Sequence, residues 1–489
     1  MMRYLPLFLF VLLLAACSDD LLTDVTAQPS YELNEADCYS LGTLLNGHQT
    51  ATQKLMLYNR QQGEIALESI NLRGGGQSIF RINVDGMAGF SFSNRDLLHI
   101  AQGDSLCILL EARFDGKQDE REMLREDFID IQCNGRLTSI RLTVKTLDVE
   151  ELRDETIMVD TLWLNGGLDK LIYGDLVVAE GTTLTIDSGV TLYLHDHASI
   201  EVYGTLVLRG VLDSPVRLLG DRTDKIFENL YYCDMPSQWG GIRIHPGSVG
   251  NRFTYADIRG MTSGIYLSQE ECPADGSLEG EQQLNICNSL IQNSDSSLIT
   301  AHNATMIIEN TCLMNSAGAL LELAGGVYDI THCTLANYNY WATFRKADVV
   351  MRNYDDTEEG RLPRPLYSCS FTNTLIYGNS GFDPNIDADY YAFGDTDGWP
   401  GDSIYNYRFD HCLVHSTTGS DDDDCISVLW TEDPLYQLVD LPNYVCDPHL
   451  QSDSPCIGAG TSSTLSRLPF DRDGNPRAAI PTIGCYEAN

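Results

Sequence analysis

Between residues 284 and 337 the chain repeats one short pattern of apolar and polar positions three times. The copies are Ile286-Cys-Asn288-Ser289-Leu-Ile291, Ile308-Glu-Asn310-Thr311-Cys-Leu313 and Ile330-Thr-His332-Cys333-Thr-Leu335. Asn288, Asn310 and His332 stand 22 residues apart, the length of one solenoid turn and far from any helical period. Looser copies occur at Phe253-Thr-Tyr255-Ala256-Asp-Ile258, Phe371-Thr-Asn373-Thr374-Leu-Ile376 and Phe409-Asp-His411-Cys412-Leu-Val414, which brings the count to six coils. In each copy an apolar residue lies two before the Asn or His, a small residue one after it and an aliphatic residue three after it. Strict strand alternation would keep inward residues at even offsets, so the face count resets at the Asn and the chain must bend there. Asn suits such a corner because it tolerates the left-handed conformation, and its amide is placed to bond the equivalent amide one strand spacing (~4.8 Å) away. The small residues Ala256, Ser289, Thr311, Cys333, Thr374 and Cys412 are expected to stack inside it.

The same period governs an earlier stretch. Val178 and Ile200, Leu184 and Leu206, and Ile186 and Leu208 are each 22 residues apart, with Gly181, Gly189 and Gly204 in place of Asn at the corners. Three insertions, near 268–283, 345–368 and 380–404, interrupt the later coils without disturbing the resumption of the pattern, so they must leave the stack as loops.

This repeat resembles the right-handed parallel β-helix of the pectate-lyase-like superfamily, whose coils carry Asn ladders at such a bend. The resemblance covers roughly 171–489 and implies a fold; the superfamily includes lyases, hydrolases, epimerases, adhesins and spacers, so it implies no single activity. Before it, isolated alternating runs at 54–59, 65–70, 80–84, 105–110, 128–131 and 139–144 predict a β-sandwich. Leu57-Tyr-Asn59, Phe80-x-Ile, Gln102-Gly-Asp104 and Cys133-Asn-Gly135 there resemble Hydin-type immunoglobulin-like domains, which imply a spacer or contact module. The expected fold class is therefore all-β: an immunoglobulin-like β-sandwich at 31–150, then a right-handed parallel β-helix at 165–489. Leu450-Gln-Ser-Asp-Ser-Pro-Cys456-Ile-Gly-Ala-Gly460 and Asp471-Arg-Asp-Gly-Asn-Pro-Arg477 resemble the segment that caps the last coil in such proteins.

Composition sets an address. A formal net charge of −39 argues against nucleic acid, since nothing could neutralise a run of phosphates. Met1-Met-Arg3, the apolar run from Leu5 to Leu14 and Leu14-Ala15-Ala16-Cys17 resemble a lipoprotein signal (1–16), with acylation of Cys17 and a polar tether at 17–30. Ser18-Asp19-Asp20 resembles the acidic tag of Gram-negative surface lipoproteins, which implies an outer-membrane anchor facing the exterior; the protein is expected to be a monomer. Of the 15 cysteines, Cys333 and Cys412 read as buried spacers, whereas Cys233 with Cys272 and Cys107 with Cys133 are the disulfide candidates.

Chemistry is sparse. The Asn-Thr-Asp, Gly-His-Gly and Arg-Ile-Lys phrases of polygalacturonases are absent, and Gly381-Phe-Asp383-Pro384-Asn385 matches an alginate-epimerase signature only in part. No catalytic residue and no metal ligand is assigned. His195-Asp196-His197 reads as an exposed turn sooner than as a metal site, and Asp471 with Asp473, or Asp421 to Asp424, are the places where calcium is possible. Read outward on the strands after each corner, Arg243, Tyr266, His302, Glu322, Trp341 and Arg345 line one face, a mixture suited to sugar hydrogen bonding and stacking; a one-residue slip after Ala319 would turn Glu322 inward. The expected function is a lipid-anchored, non-catalytic scaffold for a polysaccharide or surface glycan. The competing readings are a polysaccharide lyase or glycoside hydrolase, and a spacer without ligand.

Overall fold

The computed structural model describes residues 31–33, 38–93, 98–227, 230–270, 277–278, 280–338, 347–357, 360–378, 391–392, 404–416, 419 and 423–488, and its chain divides into two compact units, Met1–Leu147 and Asp148–Asn489. The expected lipidation site Cys17 lies outside the described residues.

Alternation in the first unit produces two five-stranded sheets whose inward residues, among them Leu55, Leu57, Ile82, Ile108, Ile129, Ile140 and Leu142, form one core. Its longest strands, Glu122–Cys133 and Arg136–Leu147, are joined by Asn134-Gly135, both at positive φ, the two-residue hairpin turn whose twist matches the strands it connects. Asn59 is buried and ties its strand to the neighbouring loop, its amide donating to the carbonyls of Ile100 and Gly63 at 2.8 Å. Cys107 and Cys133 sit on strands of different sheets, Cys133 in the core and Cys107 half-buried on the outward alternation of its strand, and both are free thiols. That pairing is therefore corrected. Cys233 is likewise free, and Cys272 lies outside the described residues.

The second unit is a parallel β-helix. Each rung has three sides, typified by Leu290–Ser294 (the first, after the Asn corner), Ile299–His302 (the second) and Thr305–Glu309 (the third), and each strand pairs in parallel with its equivalent one coil on. Among the described residues the third side forms a ten-stranded sheet; the first two merge into one sheet because Asp169–Val178 runs through both. Parallel pairing starts at Val149, ahead of the boundary expected near 165, because Val149–Ile157 supplies an opening rung whose outward charges hide the period.

All six expected corner residues have left-handed backbone: Tyr255, Asn288, Asn310, His332, Asn373 and His411 have φ between 43° and 53°. They are stacked. The backbone N–H of Asn288 donates to Glu309 O (3.1 Å), that of Asn310 to Thr331 O (3.1 Å) and that of His332 to Thr372 O (2.9 Å). Inside the corner the small residues form a buried column in which side chains serve the ladder: Ser289 Oγ accepts from Ala256 N–H (3.0 Å), Thr311 Oγ1 from Ser289 N–H (3.3 Å) and Thr374 Oγ1 from Cys333 N–H (3.3 Å). Behind them Ile286, Ile308, Ile330, Phe371 and Phe409 fill the interior, the last two rings stacked 4.8 Å apart. A second column stands at the turn from first to second side, with Asn293, Asn315 and Asn337 again 22 residues apart. There Asn315 Oδ1 accepts from Tyr338 N–H and Asn337 Oδ1 from Ser316 N–H.

Two expectations change. Among the described corners one step of the amide ladder forms side chain to side chain, where Asn373 Nδ2 donates to His332 Nε2 (3.0 Å). The other bonded amides turn to residues 456–487, which present carbonyls and guanidinium groups along the same corner. Asn310 Nδ2 donates to Phe470 O (2.9 Å), Thr461 N–H to Asn373 Oδ1 (2.7 Å) and Arg472 Nε to Ser289 O (3.2 Å). Arg467 bridges Glu309 (3.0 Å) and Asp329 (2.8 Å) on the third side. The segment expected to cap the last coil is thus a strap along the side of the stack, and a β-carbon placed on Gly474 would lie 3.5 Å from Leu212 Cδ2. The cause is the outward face of the first side, which becomes apolar where the strap lies: Cys312, Met314, Ala336, Leu375 and Leu413 are buried under Tyr436, Cys456, Ile483, Cys485 and Tyr486. Left uncovered, that patch and its strands would invite association with other chains.

Candidate functional site

The second side carries the candidate site. Its strands Ser199–Val202, Gly241–Ile244, Ile265–Ser268, Ile299–His302, Leu321–Ala324 and Val349–Arg352 alternate, with Ile200, Ile242, Ile265, Ile299, Leu321 and Val349 inward. The register sets Glu201, Arg243, Tyr266, Thr300 and Glu322 in one outward row along the stack. Ser268, His302, Ala324 and Arg352 form the next. Three residues named from the sequence, Arg243, Tyr266 and Glu322, therefore share a row, and His302 stands beside it. Glu322 faces out because Leu321 and Leu323 are both fully buried. Trp341 and Arg345 lie outside the described residues, as does the 381–385 phrase.

Aromatic and charged groups meet pairwise on this face. The Arg243 guanidinium lies 5.3 Å from the centre of the Tyr266 ring, within reach of a cation–π contact, and the His302 ring lies 5.5 Å from Tyr266 at a tilt of 53°. Towards earlier coils Tyr203 and His245 stack at 3.8 Å, with His245 Nε2 2.6 Å from Glu201 Oε2. Towards later coils Glu322 accepts from Ser297 Oγ (2.7 Å) and lies 3.7 Å from Arg352. The insertion at 345–368 supplies a hairpin, Tyr354–Thr357 with Gly360–Pro363, which leans back so that Asp355 reaches His302 Nδ1 (3.2 Å) and Arg364 Nε (2.8 Å). Burial pushes the Asp355 carboxyl up, but the His302 and Arg364 partners outweigh it and hold the group below the usual carboxylate range. Both carboxylates are thus engaged by cations, and the face offers donors, acceptors and ring faces to a ligand.

Tyr203, His245, Arg352, Asp355 and Arg364 were missed. The first two were readable, since Ile200-Glu201-Val202-Tyr203 and Ile242-Arg243-Ile244-His245 follow one alternation. Asp355 was not, because a residue in an insertion has no register in the repeat.

Elsewhere, His195 and Asp196 form an exposed turn in which His195 Nδ1 lies 2.6 Å from Asp221. Asp471 spends its oxygens on a turn, accepting from the backbone N–H groups of Asp473 (2.9 Å), Asn475 (2.7 Å) and Glu487 (2.8 Å). Among the described residues no group of three or more His, Cys, Asp or Glu side chains is arranged to hold a metal ion. Beside the strap, a cavity of about 390 Å³ is lined by Tyr338, Tyr377, His415, Asp433 and Tyr436.

No protein-family model matches the chain, and no curated protein matches it. Similar solved structures include a family 123 glycoside hydrolase from Clostridium perfringens (8% identity, TM-score 0.16), of whose length the chain spans 23% with 23% of its own. They also include ACE19, the collagen-binding subdomain of an Enterococcus faecalis surface protein (11% identity, TM-score 0.12, covering 25% of this chain and 98% of that one). A catalytic domain of a GH87 alpha-1,3-glucanase in complex with tetrasaccharides covers 77% of this chain and 89% of its own at 9% identity and a TM-score of 0.19. Superpositions this loose carry nothing about the chemistry of the present chain.

Proposed function

We propose that this protein is a lipid-anchored outer-membrane scaffold, held through Cys17 and facing the exterior, that binds an extended polysaccharide along the second side of its β-helix without cleaving it. The observation that supports this reading is the outward row Glu201, Arg243, Tyr266, Thr300 and Glu322, flanked by Tyr203–His245 and His302–Arg352. Parallel stacking repeats such positions every ~4.8 Å, close to the scale of a sugar ring, so a linear polymer lying along the axis meets hydrogen-bonding groups and ring faces in succession. Glu322 and Asp355, the acids nearest the middle of the face, are paired with Arg352 and with His302 and Arg364, which suits holding a ligand better than shuttling a proton. A glycan array run with an assay for new reducing or unsaturated ends tests the reading. Binding without product is expected; product formed on the bound polymer would replace it with a lyase or hydrolase.

A further inference from the structure

The strap and the first side bring thiols together. Cys312 lies on the outward face of the first side, in register with Thr334 on the next coil, and Cys485 lies in the strap with its backbone N–H donating to Thr334 Oγ1 (3.0 Å). Adjacent strands are about 4.8 Å apart, so this bond seats the Cys485 backbone directly over the row that holds Cys312. Both side chains belong to the same apolar cluster, and both are fully buried. Their surroundings fix them: the neighbouring Gly484 N–H donates to Asn373 O (2.8 Å), and Tyr486, Tyr436 and Cys456 pack in the same cluster. Other buried cysteines are spent differently. Cys333 and Cys412 sit in the interior column and donate to the carbonyls of Ile308 (3.4 Å) and Phe371 (3.3 Å).

We infer that Cys312 and Cys485 are the site of a disulfide that fastens the strap to the stack when the protein meets a disulfide donor. In the reaction the two thiols lose two protons and two electrons and form one S–S bond. The electrons reduce the donor, a small-molecule or protein disulfide, to two thiols by exchange through a mixed disulfide. Because the joined residues are far apart in sequence, the link closes a long loop and restricts the unfolded chain strongly. Cys446 and Cys456, which border the same cluster, are the competing partners for either sulfur.

The full chain is refolded in a glutathione/glutathione-disulfide buffer, alkylated under denaturing conditions without reductant, digested and analysed by mass spectrometry. A Cys312–Cys485 cross-linked peptide is expected, absent after dithiothreitol and absent from C312S and C485S. Reduction is expected to lower the thermal midpoint of the wild-type protein and to leave that of the C312S/C485S double variant unchanged, a comparison that holds even if the serines themselves weaken the fold. Alkylation of both Cys312 and Cys485 in the oxidised sample, or a cross-link from Cys485 to Cys446 or Cys456, overturns the assignment.

Discussion

Arg477 donates through Nη2 to Asn310 Oδ1 at 2.8 Å, joining the strap to a corner residue 167 positions earlier in the chain. Its guanidinium is buried, 3.3 Å from Glu487, so the bond ties a left-handed corner to an ion pair that has almost no water. Removing one member of a buried pair strands the other. Arg477→Ala is therefore expected to destabilise the β-helix by about 3–5 kcal/mol, measured by denaturant unfolding, whereas R477M combined with E487Q is expected to cost much less.

Stability should depend on pH through His332. Its ring is buried, with Nδ1 3.3 Å from Gly484 O and Nε2 2.9 Å from Thr464 Oγ1, a set satisfied by the neutral Nδ1–H form. Burial, then the nearby Arg477 and Arg467, holds its pKa well below the ordinary value. Below an unfolded pKa of about 6.5 the unfolded chain takes up a proton that the folded one refuses. The stability contributed by neutral His332 is therefore complete above that pH and is lost as pH falls. His449 has the opposite sign: Asp473 (2.9 Å), with Asp447 (2.5 Å), raises its pKa to about 9, so its contribution is full below about pH 6.5 and disappears as pH rises through about 9. Unfolding measured from pH 4 to 10 on the wild type, His332→Asn and His449→Gln should show the acid slope reduced in the first variant and the alkaline slope reduced in the second.

The corner can be tested at Asn288, whose φ is 51° and whose Oδ1 has no hydrogen-bond partner among the described residues. Replacement there probes backbone conformation with little side-chain bonding to lose. Asn288→Ala is expected to be less stable than Asn288→Gly by roughly 1–2 kcal/mol. Next to it, Ser289→Ala removes the acceptor of Ala256 N–H inside the column and is expected to cost about 1–3 kcal/mol.

Binding along the second side should depend on the aromatic and cationic pair at its centre. Arg243→Ala and Tyr266→Ala are each expected to weaken polysaccharide affinity by about tenfold, about 1.4 kcal/mol, with unfolding midpoints close to wild type because both side chains point away from the core. Isothermal calorimetry with the polymer identified on the array, together with thermal melts, reads both quantities.

The repeat made much of this legible. Corners, the buried column and the inward residues all follow from Ile286, Asn288 and Ser289 recurring at a constant spacing, since stacking makes one coil's geometry the template for the next. The column of Asn293, Asn315 and Asn337 obeys the same spacing and is equally legible from it. What the repeat could not show lies outside it. Glu122–Asp127 opens a strand despite its charge, because half-exposed strand positions need no apolar residue. The strap was readable as a segment but not as a position, for its anchors, Arg467, Arg472 and Arg477, contact residues far back along the chain. Asp355 entered the candidate site through an insertion for the same reason.

Because the strap is bonded at Ser289, Asn310, His332 and Asn373, its anchors act as a ruler with fixed divisions. Duplicating or deleting one whole coil between those marks would leave each rung intact yet set the divisions out of step with the object they measure. Repeat number, the quantity a solenoid changes most easily, is in this stretch held constant by a segment that belongs to no repeat.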